Sequence, residues 1–569
     1  MTDKTTMVLQ LVRACFAACN LPADGAPVQP LTFSSTKGFA MNNSQALILR
    51  VSSVCFAVIV RAAAVLALVG ATLFAFAGLA GAQGGAPQEG TGRVEQERIR
   101  TADRAGASRQ PNPLMPAERE LATKIKDPFT LTAVGDLILR TPIAQLAEPA
   151  FQNLVKHIRD ADVGFANMEG PLIDHDNYPY SIGGVGFGGA PKSALATIKS
   201  MGVKIMGTAN NMQMDADITG MLETIRMLNE GGIIHAGTGR NLEEARSAGF
   251  LGTPKGVVGL VSAWSMDSAR RDGATYRMGD SGGHPGLNAL HVTMQGIVTA
   301  EQMEQLRKIR DSIYARRGEV FAPVAPARAD ERKDRLELFN QRFAVGPKPG
   351  DLHYTMDPDD LREILRSIRD GKQYSDFMIA TVHCHQGNYS FQTYTYDNDT
   401  PDFLIDFAHQ AIDNGADVFV GHGVHTLRGV EIYKGKPIFY GLNTFVYQYQ
   451  WSLPQNQGGE LTDAEELMLP SGFAGSRVIQ PERMEALLTE SHFENGQLTE
   501  VRLYPVDLGQ DLSRPFSRTG IPMTPSPEMA ERVLEKIQRL SKPFGTKIVI
   551  ENGVGVIRVS GEQSRVATP

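Results

Sequence analysis

LTAVGDLIL, residues 131–139, is a short apolar run that reaches a Gly-Asp turn and gives way to a helical stretch. VGFANMEGPL (163–172) and VKIMGTANN (203–211) repeat the arrangement, each with polar residues where the apolar run ends. From Asp217 to Glu230 the residues Ile218, Met221, Leu222, Ile225 and Leu228 recur at helical spacing, and IIHAGTG (233–239) follows. VVGLVSA (257–263), FMIATVHCH (377–385), DVFVGH (417–422) and PIFYGLNTFVY (437–447) complete the series. Short apolar strands alternating with helices predict a layered α/β fold with helices on both faces of the sheet.

Outside this series the chain changes character. Residues 300–372 are charged, helical in spacing and interrupted by FAPVAPARAD (321–330), which predicts a helical insertion serving as a lid or as a peripheral decoration. EMAERVLEKIQRL (528–540) predicts an amphipathic helix, and the Asn-Gly pair inside KIVIENGVGVIRV (547–559) predicts a hairpin. Residues 126–569 are thus expected to form one domain, preceded by a linker at 83–125 rich in Gly, Pro, Gln, Arg and Glu. Before the linker, AAAVLALVGATLFAFAGLAGA (62–82) follows Arg50 and Arg61 and closes on Ala80-Gly81-Ala82. A basic flank, an apolar run and small residues at its end predict an export signal, either cleaved or kept as a membrane anchor. Met41 opens a leader of ordinary length, so residues 1–40 read as an extension ahead of the true start. Both readings place the rest of the chain in the periplasm or elsewhere outside the cytoplasm.

The chain has 569 residues, 42% hydrophobic and 21% charged, with a formal net charge of −7. No concentrated basic face is suggested, which argues against a nucleic-acid partner. Of the cysteines, Cys15, Cys19 and Cys55 precede the signal's end, so the exported chain keeps only Cys384 and rests on packing rather than on disulfides.

In open α/β sheets ligands gather where strands end. Those positions here hold Asp136, Asn167 and Glu169, Asn210 and Asn211, His383 and His385, and His422 and His425. Each has a bland alternative: a turn for Asp136, a solvated loop for Asn167 and Glu169, a helix cap for Asn210-Asn211. The histidines are harder to dismiss. On a strand, His383 and His385 share one face while Cys384 points away. The Gly-loosened turn GHGVH (421–425) lets His422 and His425 converge. Asp, Glu, Asn and several His form the ligand set of two-metal phosphoesterases, in which two divalent ions lie about 3.5–4 Å apart. Mn, Fe and Zn all suit such ligands.

The motifs GD (135–136), NMEGPL (167–172), TANN (208–211), AGTGRNLEEAR (236–246) and GHGVHTLRGVEIYKGKPIFYGLNTF (421–445) resemble the blocks of the CapA family of poly-γ-glutamate capsule biosynthesis proteins. The resemblance runs from about Leu131 to Phe445 and implies a metallophosphatase-like α/β sandwich. It implies Asp136, Glu169, Asn210, His383, His385, His422 and His425 as the metal-site or catalytic set, with His385 and Asn210 in catalytic roles. Asn211 and Arg428 are candidates for substrate binding, although Arg428 equally reads as a surface residue. The partners implied are an anionic polymer or a phosphoester, and other capsule-biosynthesis membrane proteins. Three positions depart from the family pattern: Met212 where a histidine is usual, Gln386 where one branch has an acid, and Asn443-Thr444-Phe445 in place of Gly-Asn-Phe. A thioether cannot donate a proton, so Met212 predicts weak hydrolysis.

Overall fold

The computed structural model describes residues 121–174, 189–267, 272–318, 333–339, 341–388, 397–448, 481–509 and 518–559. The chain divides into two units, residues 1–108 and 109–569. The first unit, with the predicted signal, Met41 and three of the cysteines, lies outside the described residues, as do FAPVAPARAD and most of the linker. Among the described residues no helix is long and apolar enough to cross a membrane.

Two sheets stack face to face and each carries helices on its outer side. The first, nine-stranded sheet centres on Phe129–Ile138, with Val163–Met168, Val203–Gly207 and Ile234–Ala236 following in parallel on one side. On its other side the antiparallel strands Glu485–Glu494 and Gln497–Asp507 lead to the hairpin Val549–Glu551/Val554–Arg558. Asn552 (φ 51°) and Gly553 (φ 77°) make that hairpin's turn, both left-handed as the Asn-Gly pair demands. The second, ten-stranded sheet has Gly256–Asp267, Phe377–Cys384, Val418–Gly423 and Lys436–Phe439 as parallel neighbours at its centre.

Alternation along each strand builds three apolar layers. Leu131, Phe165 and Ile205 of the first sheet meet Leu260, Ile379 and Val420 of the second to fill the middle. Val134, Met168 and Met206 turn outward against Phe151, Leu154, Ile198 and Met201 of the helices Pro149–Asp160 and Ala194–Met201. On the far side Met378, Val382 and Phe419 meet Ile364, Ile368, Phe403 and Phe407 of Pro358–Gln373 and Asp402–Asp413. The result is an α/β/β/α sandwich, the layered α/β class expected.

Two segments differ in detail from the sequence reading. Residues 300–372 begin and end in helices, Ala300–Gly318 and Pro358–Gln373, but three strands lie between them and extend the second sheet. Arg335–Leu338 shows why: RLEL alternates exposed and buried, a strand period hidden within a charged stretch. PIFYGLNTFVY is two strands rather than one. Lys436–Phe439 pairs with Val418–Gly423 in the second sheet, and Thr444–Tyr447 pairs with Phe129–Ile138 in the first. The crossing turns on Asn443, left-handed at φ 63°, whose carbonyl accepts from Asp136 N at 3.3 Å. Gly135 leaves room for that carbonyl, since a Cβ there would lie 1.6 Å from the Asn443 oxygen.

Candidate metal centre

The crossing draws the strand ends of both sheets together. In the first sheet Asp136 and Asn167 are register partners on neighbouring strands, and in the second His383 and His422 are partners in the same way. One sheet therefore presents carboxylates and amides, the other imidazoles. All are buried: Asp136, Asn167 and His383 are fully enclosed, and Glu169, His385, His422 and His425 nearly so.

The side chains form two groups of three, Asp136/His383/His422 and Glu169/His385/His425, with ligand atoms within 4.8 Å of one another in each. In the first, Asp136 Oδ1 lies 3.1 Å from His422 Nδ1 and 3.5 Å from His383 Nδ1. In the second, Glu169 Oε1 lies 3.7 Å from His425 Nε2 and 3.6 Å from His383 Nε2. His383 stands between them, with Nδ1 2.9 Å from His422 Nδ1 and Nε2 3.1 Å from His385 Nε2.

Surrounding groups fix these orientations. Asn167 Nδ2 donates to Asp136 Oδ1 (2.7 Å) and Gly423 N donates to Asp136 Oδ2 (2.9 Å). Thr381 Oγ1 lies 2.9 Å from His422 Nε2, and Thr444 Oγ1 lies 2.7 Å from His425 Nδ1. A hydroxyl on the rear nitrogen sets which imidazole nitrogen faces forward.

The electrostatics favour a cation. Both oxygens of Glu169 are buried without a hydrogen-bond partner among the described residues. A buried, unsatisfied carboxylate is costly unless positive charge meets it. Burial first, then the charges of Asp136 and Asp215, push its carboxyl well above the ordinary value. Burial also works against Asp136, but His422 and His383 outweigh it and hold that carboxyl well below the ordinary value. Burial lowers His383 and His385 and takes His425 down to about 3, so these rings stay neutral, the form that ligates metal. The residues fit a divalent cation in each group.

The two neighbouring asparagines have different surroundings. Asn210 Nδ2 donates to Met168 O (2.7 Å), and its Oδ1 accepts from Met212 N (3.3 Å) and Gly170 N (3.4 Å), pinning the backbone around Glu169. Asn211 instead brings Oδ1 to 2.6 Å from His383 Nε2 and 3.2 Å from His385 Nε2. The surface alternative for Arg428 is corrected, for that residue is 1% exposed. Its Nη2 donates to Gln386 O (2.6 Å) and lies 3.6 Å from Asp397, so its charge braces the loop that follows His385.

The departures from the family pattern also find places. Gln386 Nε2 donates to Ser265 O (3.0 Å) while Ser265 Oγ donates to Gln386 Oε1 (2.6 Å). Only an amide satisfies both contacts, since a carboxylate would set two oxygens against the Ser265 carbonyl. Met212 is 4% exposed and belongs to the apolar layer beneath the first sheet's helices. Asn443 Nδ2 donates to Glu485 O (2.7 Å), and Thr444 orients His425. His235 lies on the edge strand Ile234–Ala236, with Nε2 3.3 Å from Asn229 Oδ1.

The orienting hydroxyls of Thr381 and Thr444 escaped the sequence reading, because a threonine inside an apolar strand carries no sign of facing a histidine. Arg140 and Arg483, whose charges reach Glu169, escaped it too. Arg140 was visible as the polar residue closing LILR, whereas Arg483 has no local signal.

Several known proteins are similar to this chain. The uncharacterized protein y4sH of Sinorhizobium fredii is 39% identical over 461 residues, 77% of this chain and 95% of that protein. The capsule biosynthesis protein CapA of Bacillus anthracis is 22% identical over 331 residues, which span 57% of this chain and 61% of the Bacillus protein. A solved Staphylococcus aureus structure, described as a candidate 5′-nucleotidase in complex with α-ketoglutarate, covers 56% of this chain and 49% of that one at 11% identity, with a TM-score of 0.28. The model of the bacterial capsule synthesis protein family PGA_cap matches residues 130–449, a span holding all six residues of the two groups and the crossing at Asn443, and the chain belongs to that family.

Proposed function

We propose that this chain is an exported protein of capsule or poly-γ-glutamate-type exopolymer biosynthesis that holds two divalent cations and acts on an anionic polymer. The observation that carries the metal assignment is the Glu169 carboxylate, buried, without a hydrogen-bond partner among the described residues and facing imidazole nitrogens. Export rests on the leader at 62–82 and its Ala-x-Ala close.

In this reading Asp136, His383 and His422 hold one cation, and Glu169, His385 and His425 the other, with Mn, Fe or Zn as the metal. Cations in such a pair supply Lewis acidity and lower the pKa of water. The chain's own residues supply the rest. Asn167 and Gly423 N keep both oxygens of Asp136 directed, and the threonine hydroxyls fix the tautomers of His422 and His425. Asn210 holds the Glu169 loop, and Asn211 and His385 offer polar atoms beside the cations. Position 212 brings no proton donor, so ordinary phosphoesters are turned over weakly.

Elemental analysis tests the metal assignment. The purified protein is expected to carry about two cations per chain, and the double change His422→Ala, His425→Ala to lose most of them. Metal content unaltered in that variant would remove the site as drawn. A metal-dependent phosphoester hydrolase is the second reading, favoured by the ligand chemistry, and brisk turnover of a generic phosphodiester on adding divalent metal would select it.

A further inference from the structure

Two arginines outside the candidate set belong to segments around one strand end: Arg140 follows the strand Phe129–Ile138, and Arg483 reaches Tyr447 at the end of its neighbour. Parallel register places Ile138 opposite Tyr447. Gln448 ties the two segments together beyond that point: its N donates to Ile138 O (3.0 Å), and its Oε1 accepts from Arg140 N (2.7 Å) and Thr141 N (3.0 Å). Arg140 is thereby fixed next to the end of the Thr444–Tyr447 strand. Glu169 belongs to the same corner, since its N donates to Leu137 O at 3.3 Å.

Arg483 reaches Tyr447 from the short turn Pro481–Met484. Its Nη2 donates to the Tyr447 hydroxyl (2.5 Å), and its guanidinium carbon lies 5.4 Å from the ring centroid. Asn443 Nδ2 donates to the Arg483 carbonyl at 3.3 Å, so the crossing turn also holds this arginine's backbone. On its other side the Tyr447 ring lies 5.7 Å from the His425 ring. One aromatic side chain therefore links a buried guanidinium to a member of the second ligand group. The charges of both arginines act on Glu169 against the effect of burial, and that of Arg483 also acts on His425.

We propose that Arg140 and Arg483 form an anion subsite beside the Glu169/His385/His425 group, which takes a carboxylate or phosphate group of the substrate. The role rests on the metal-centre reading above and deepens it by stating what holds the substrate's charge. A guanidinium presents a planar fork of donors that matches either oxyanion, and its charge persists at every physiological pH. The subsite also explains how a chain with a net charge of −7 receives an anionic ligand, through local positive charge at one strand end.

Calorimetric titration of the full chain tests this, with inorganic phosphate and a short γ-linked glutamate oligomer as separate probes. Native protein, Arg140→Gln and Arg483→Gln are compared, each metal-loaded and metal-stripped. Arg240→Gln is the control, since that exposed guanidinium pairs with Glu244. Each subsite variant is expected to weaken the tighter-binding probe by roughly tenfold in both metal states, with metal content unchanged. Arg483→Lys should retain part of the affinity as a point charge, which separates lost binding from lost packing on Tyr447. The tighter probe identifies the group as carboxylate or phosphate. Affinities in both glutamine variants within about twofold of native, or binding of neither probe by native protein, would overturn the subsite. Failure of the metal reading shows separately, as native protein that carries no metal.

Discussion

Glu169 concentrates the chemistry of the site in one side chain. Its carboxylate is buried with neither oxygen hydrogen-bonded among the described residues, and burial, then the charges of Asp136 and Asp215, raises its proton affinity. Glu169→Gln is therefore expected to do two opposite things. Metal affinity should fall by about tenfold or more, because a charged ligand becomes neutral. The metal-free protein should become more stable at neutral pH, because the variant buries no unpaired charge. Metal titration and denaturant unfolding on the same samples check both, and a metal-free variant less stable than native would contradict the account of this residue. At this scale the sequence was informative for ligands, since strand-end carboxylates and imidazoles stand out against apolar runs. Of the two adjacent asparagines the resemblance put Asn210 in the metal-site set, whereas it is Asn211 whose Oδ1 turns toward the histidines. That choice depends on backbone direction after Val203–Gly207, which carries no residue-type signal.

The elements themselves were legible where their period was clean. Asp217–Gly231 and Pro527–Ser541 fall where apolar spacing predicted them, and the Asn552-Gly553 turn closes the hairpin its residues require. The antiparallel pair Glu485–Glu494/Gln497–Asp507 was missed, because EALLTESHFE mixes charged and apolar residues without the uniform apolar run of the parallel strands. That pair carries its own pH dependence. Glu490 opposes burial with contacts to His157 Nδ1 (2.9 Å) and the Tyr504 hydroxyl (2.9 Å), and its pKa falls from 4.5 to about 2. A carboxyl depressed in the folded state adds stability above its unfolded value and loses it as pH falls toward the folded one. Native protein should therefore exceed Glu490→Gln in stability above about pH 5, the gap closing as pH falls from about 4.5 to about 2. Equilibrium unfolding across that range measures it, and a gap independent of pH would rule out the linkage.

At the scale of the whole molecule, apolar runs announced an α/β fold with helices on both faces, and the family resemblance a sandwich, but neither told which sheet each strand joins. Both sheets draw on the same residue types, so PIFYGLNTFVY looks continuous even though its halves belong to different sheets. The information lies in one left-handed asparagine and one glycine without a side chain, both weak signals in a single sequence. The predicted leader lies outside the described residues. Expression from Met41 is expected to yield a processed, extracytoplasmic protein beginning near Gln83, and N-terminal sequencing that finds residues 1–40 on the mature chain would end that expectation.

The division of ligands between the sheets has a mechanical meaning. With carboxylates anchored to one sheet and imidazoles to the other, a bound cation works as a rivet through the sandwich and resists the sliding of one layer over its neighbour. Stripping the metal should therefore loosen the whole stack and not only the strand ends. The melting temperature should rise with the logarithm of free metal, by an increment equivalent to about 2.7 kcal/mol at a hundredfold excess over Kd. Hydrogen exchange should quicken most at Leu131, Ile379 and Val420, deep between the layers, where no ligand lies. Faster exchange confined to the loops would mean that the cation decorates the sandwich without fastening it.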